Sequence, residues 1–222
     1  MRISVVWNGT GLQPWLPPSG LSISPQYASR HTIRHMEVTF TRTGERRYRV
    51  IVEREKASDL IMDPAPGYDP FLPHDLVHLL VECEWGIRTG IFGQLAAGGD
   101  AGTFRPLRMA DLRKQRAIGQ RLRSAGRHDT GKSERLAHLA HVAWQIRQGH
   151  KVAPWDFEAH RQAPEVDTAI LDRTLARLDQ LAERWHALGV GGSITLSWPW
   201  PEARPAPRAR AKREHTGAVR RR

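Results

Sequence analysis

Two histidines one helical turn apart are the residues of this chain best placed to do chemistry. They lie in PHDLVHLLVECEW, residues 73–85, with Asp75 beside the first and Glu82 a turn beyond the second. Pro73 suits the first position of a helix and Gly86 suits its stop, so the segment is predicted to be helical. At helical spacing His74, His78 and Glu82 fall within about 80° of one another, with Asp75 next to Glu82. Leu76, Leu79, Leu80 and Cys83 cover the opposite side, and Val77 and Val81 extend it. The result is an apolar helix with one polar stripe of two imidazoles and two carboxylates, and no Lys or Arg on it.

Histidines at i and i+4 can bind one metal ion, because that spacing stacks them on one face. Glu82 is then expected either as a third ligand or as an acceptor for an imidazole N–H. HDLVH resembles the HExxH helix of the zincins, zinc metallohydrolases, with Asp75 where that family has Glu. The resemblance implies His74 and His78 as ligands of zinc or another divalent cation, with Asp75 as general base to the bound water. Asp is one methylene shorter than Glu, so Glu82 is the second candidate base. Third-ligand candidates are Glu82, His138 and His141. The same residues also suit a purely structural helix, since Asp75 in the first turn meets the positive end of the helix dipole.

A longer stretch, PHDLVHLLVECEWGIRTGIFGQLAAGG, resembles a family of uncharacterised bacterial proteins with the pattern PHDLxHxxVExxxGxxxGxxG. That resemblance implies no activity, but it joins the helix and the Gly-rich segment 87–99 into one unit. A different stretch, GRHDTGKS at 126–133, fits the phosphate-loop pattern G-x-x-x-x-G-K-S. LRKQRAIGQRLRSA before it is a basic helix and not the apolar strand such a loop requires. The expectation is a helix–turn–helix connection with Thr130 or Ser133 as N-cap. On the helix predicted at 133–148, Leu136, Leu139, Ala143 and Ile146 mark the buried face. His138 and His141 share the other side with Glu134 and Gln145, and that side is expected to be solvated unless it faces the 73–85 helix.

The elements that must hold these residues suggest an α+β fold. RISVVW (2–7) reads as a strand, with a further short one at 21–24. HMEVTFTR and RRYRVIVER form a hairpin over 35–54, turning at Thr43-Gly44-Glu45. Four prolines in 63–73 make a loop. Helices are predicted at 109–124 and at 165–188, the latter closed by Gly189, and a last strand at 193–198 is expected to rejoin the first sheet. The small sheet is expected to be antiparallel and packed on the helical middle. Trp7, Trp15, Trp144, Trp155, Trp185, Trp198 and Trp200 are scattered among element ends, which favours packing over a stacking platform.

The chain has 222 residues, and its one cysteine excludes a disulfide framework and multi-cysteine metal sites. No apolar run is long enough to span a membrane, and the start lacks the pattern of a secretion signal, so a cytoplasmic protein is expected. The formal charge is +11, of which residues 202–222 carry a net +6. Residues 1–201 are therefore expected as one domain and 202–222 as a disordered basic tail. In contrast, six acids and no Lys or Arg lie between Lys56 and Arg88, a place where a cation is favoured or where the arginine-rich helices can pair. Three functions follow as expectations: a metal-dependent hydrolase of unknown substrate, a non-enzymatic binding protein whose residues 204–222 contact nucleic acid or an acidic partner, or a structural or regulatory module in which the polar stripe only holds the Gly-rich turn.

Overall fold

The computed structural model describes residues 2–5, 36–66, 69–108, 112–152 and 160–202. The expectations for a strand at 21–24, for Trp7, Trp15 and Trp155, and for a tail beyond Glu202 lie outside the described residues. The fold is α+β. Its strands are β1 (Arg2–Val5), β2 (Glu37–Gly44), β3 (Arg47–Glu53), β4 (Leu60–Met62), β5 (Arg105–Pro106) and β6 (Ser193–Ser197). They form one sheet in the order β1-β6-β2-β3-β4-β5. Every neighbouring pair is antiparallel except β1 with β6.

The period-two pattern read in the sequence sets the buried face. Val38 and Phe40 on β2, Tyr48, Val50 and Val52 on β3, and Ile194 on β6 all point into the core. The hairpin turns at Glu45-Arg46 rather than one residue earlier, because the register slips between Arg42 and Gly44 and Gly44 pairs with Arg47. As expected, β6 rejoins the first sheet, lying between β1 and β2.

Helices α1 (His74–Trp85), α2 (Ile91–Ala96), α3 (Leu112–Ala125), α4 (Arg127–Arg147) and α5 (Thr168–His186) make up the helical part. Pro73 stands just ahead of α1, and Gly86 closes it in the left-handed conformation that glycine adopts without strain. Asp167 caps α5 by accepting from the Ala169 and Ile170 amides. The Trp185 ring of α5 meets Tyr48 of β3 edge-on, with centroids 6.3 Å apart. Trp144, Trp185 and Trp198 are all buried, as packing residues should be. Glu84 at the end of α1 meets Arg173 and Arg177 of α5, so part of the acidic segment does pair with later arginines.

Two expectations need correction. Glu202 belongs to the fold and not to a tail: its buried carboxylate accepts from the Glu55 and Lys56 amides. The GRHDTGKS stretch is no loop, because α3 and α4 are separated by Gly126 alone and Thr130 already donates its amide to the Gly126 carbonyl. Thr130 and Ser133 are therefore inside α4 and cap nothing. Gly126 is required by packing, since a Cβ there would sit 2.3 Å from the Thr89 carbonyl oxygen. This junction presses the start of α4 against the Gly-rich turn after α1.

Candidate metal centre

α1 and α4 pack together, and the polar stripe of α1 faces α4. His74 Nε2 and His78 Nε2 lie 3.1 Å apart. Glu134 of α4 completes the group, with Oε2 3.4 Å from His78 Nε2. One ligand atom from each of His74, His78 and Glu134 lies within 4.8 Å of the other two. Tetrahedral ligands at zinc distances of about 2.0–2.1 Å are about 3.3 Å apart, which is close to the two shorter separations seen here. His78 is 2% exposed, whereas the Glu134 side chain is 56% exposed, so the group opens to solvent on the Glu134 side.

A chain of hydrogen bonds behind His78 fixes its tautomer. Ser133 Oγ donates to Glu82 Oε1 at 2.9 Å, which uses its only hydrogen. The Ser133 oxygen, 3.0 Å from His78 Nδ1, is then left to accept, so Nδ1 carries the proton. The Nε2 lone pair of His78 consequently faces His74 and Glu134. That lone pair is met either by an Nε2–H of His74 donating to it or by a cation shared with His74 and Glu134. Backing a ligating imidazole with a hydrogen-bond acceptor on its far nitrogen is the usual support of a metal-binding histidine.

Glu82 is the anchor of that chain, not a ligand. It is completely buried and accepts from the amides of Ile91, Phe92 and Gly93, at 2.6, 2.9 and 3.2 Å, as well as from Ser133. Its carboxylate thus caps the first turn of α2 and does not reach the imidazole group. Gly90 makes the approach possible, since a Cβ there would sit 2.5 Å from Glu82 Oε1. Burial pushes the Glu82 carboxyl up to about 7 against the pull of Ser133 and the amides. All four neighbours are donors, so the ionised form is the one whose hydrogen bonds are satisfied.

Asp75 also stands apart from the imidazole group. Its Oδ2 accepts a short hydrogen bond from the Tyr48 hydroxyl, tying α1 to β3. Burial raises the Asp75 carboxyl and, with Asp75 beside it, raises the Tyr48 hydroxyl as well.

The α4 side expected to be solvated is only partly so. His138 is exposed, but His141 is buried against α1, its Nε2 3.2 Å from Asp69 Oδ2. The amides of Phe71 and Leu72 donate to the other Asp69 oxygen and hold it in place. Neither His138 nor His141 enters the His74–His78–Glu134 group. Glu134 and Ser133 were not singled out as site residues in the sequence. The available signal was their position on the α4 face that also carries His141.

Burial, followed by the charges of His78 and His141, holds the His74 imidazole down at about 4. The ring is therefore neutral at pH 7, as a ligand must be. The folded state disfavours its protonation, so its contribution to stability is complete above the ordinary value of 6.5 and is lost as pH falls toward 4. Glu82 acts with the opposite sign between its ordinary 4.5 and about 7, where the folded chain holds the extra proton. Histidine NMR of the metal-free chain should show His74 titrating at about 4; a midpoint near 6.5 would contradict the burial described here.

Comparison with protein-family models, with curated proteins and with solved structures finds no match.

Proposed function

We propose that His74, His78 and Glu134 hold one divalent cation, zinc foremost, and that the protein is a metal-dependent hydrolase. The observation that carries this is the Glu82–Ser133–His78 chain, which aims an imidazole lone pair at two further ligand atoms at a zinc-like spacing. A His2Glu set is one that catalytic zinc sites use, and the solvent-facing side at Glu134 leaves room for a further ligand. The cation would supply acidity to a bound water. Glu82 acts as a positioning residue through Ser133. Asp75 remains the carboxylate proposed as proton acceptor, and in this structure it is turned to the Tyr48 hydroxyl. For that role it must exchange its bond to Tyr48 for one to water.

Untagged full-length chain, supplied with zinc and assayed on a p-nitrophenyl ester and a bis(p-nitrophenyl) phosphate, tests the proposal. Turnover should be abolished by a chelator, restored by zinc and absent from His74→Ala. An Asp75→Asn variant should keep its metal and lose about 100-fold or more in rate. Bound metal without turnover on any substrate would reduce the protein to a metal binder.

A further inference from the structure

We propose that the exposed face of α3 binds the phosphate backbone of nucleic acid, independently of the metal site. Between Ala101 and His128 the chain carries eight Lys or Arg residues against Asp111 alone, a net +7. The outward face of α3 consists of Arg113, Arg116, Ala117, Gln120, Arg121 and Ser124, all exposed. Arg105, Arg108 and Arg127 are exposed on the adjoining segments. Arg123 pairs with Asp100, but Arg113, Arg116 and Arg121 have no carboxylate partner among the described residues. Like charges this close repel one another, so the face gains from an external anion.

The chemistry of the face selects the anion. Arg113, Arg116 and Arg121 span about 12 Å of helix axis, a length over which one strand of duplex DNA carries three to four phosphates. Arginine forks bind phosphate oxygens in pairs, and seven of the eight basic residues in this stretch are arginine. Beside them on this face, among the described side chains, stand Ala117, Gln120 and Ser124, which are small or polar and leave room for a backbone to lie along the helix. A helix that enters an anionic bilayer needs a free apolar face. In α3 the residues opposite the arginines, Gln115, Ile118, Gly119 and Leu122, are turned inward and at least partly buried. A phosphate backbone therefore fits this face better than a lipid surface.

Full-length protein in a chelator, titrated into a labelled mixed-sequence duplex of about 30 base pairs at roughly 50–200 mM KCl, tests this away from the metal. Binding should weaken steeply with salt. Arg113→Gln/Arg116→Gln/Arg121→Gln should bind at least about tenfold more weakly and lower the slope of log K against log salt by about 2 to 3. Neutralising Arg208, Arg210, Lys212 and Arg213 in the same chain should leave that slope change intact. The melting temperature checks that the triple variant folds, and the three single substitutions, each roughly twofold to fivefold weaker, serve if it does not. No binding by the wild-type chain, a loss under tenfold in the folded triple variant, or capture by phosphatidylserine vesicles with none by DNA each overturns the proposal.

Discussion

Replacing Glu82 by alanine should destabilise the chain by about 3–5 kcal/mol, because a buried carboxylate network loses its central acceptor. The amides of Ile91, Phe92 and Gly93 would be left with no intrahelical partner at the start of α2, and the Ser133 hydroxyl with no acceptor. The loss would appear as a lower urea midpoint at an unchanged slope. Glu82→Gln keeps the volume and one oxygen but turns an NH2 toward donors, so a smaller loss of about 2 kcal/mol is expected. The glutamine variant isolates the second role of this residue. If Glu82 sets the His78 tautomer through Ser133, metal affinity should fall about 10- to 100-fold in the folded Glu82→Gln protein. A variant that melts early yet binds metal like wild type would confine Glu82 to capping α2.

Gly93→Ala should cost at least about 3 kcal/mol, since overpacking against main chain has no flexible side chain to absorb it. A Cβ at Gly93 would sit 2.0 Å from the Arg88 carbonyl oxygen and 2.3 Å from its carbon. Either α2 or the turn before it must move, and α2 is the helix whose first amides hold Glu82. Gly189→Ala is the matching control: nothing lies within 4 Å of a Cβ there, and a change within about 0.5 kcal/mol is expected. Equal melting of the two variants would contradict the close approach of α2 to Arg88.

These glycines show what was legible in the sequence. His74, Asp75, His78, Glu82, Gly86, Gly90 and Gly93 all lie within residues 73–99, the stretch that the sequence leads one to expect as one unit. Each has a defined place: two imidazoles beside Glu134, a tie to Tyr48, a cap for α2, a helix stop, and two close approaches. Strands β1, β2, β3 and β6, α1 and its stop were readable because they depend on local period and turn chemistry, whereas β4 and β5, three and two residues long, are too short to show a period. Glu134 was not, because its role depends on which face of α4 meets α1, a tertiary fact. Glu82 misled for a related reason. Its position on the helical stripe was read correctly, but a carboxylate at the stripe's end reaches either the histidines or a neighbouring helix start. Here three amides and a hydroxyl compete for it. The helix boundary at Gly126 was missed because a Thr or Ser cap is the local expectation, whereas packing against Thr89 decided it.

His74, His78 and Glu134 are proposed to form one ion site. Cobalt(II) titrated into the untagged full-length chain tests it most directly. Saturation is expected at one ion per chain, with the visible absorption of a four-coordinate site, and roughly 100-fold or weaker binding in both Glu134→Gln and His78→Ala. A wild-type chain that takes up no cobalt, or a Glu134→Gln variant that binds it unchanged, would rule out a shared ion site at these three residues.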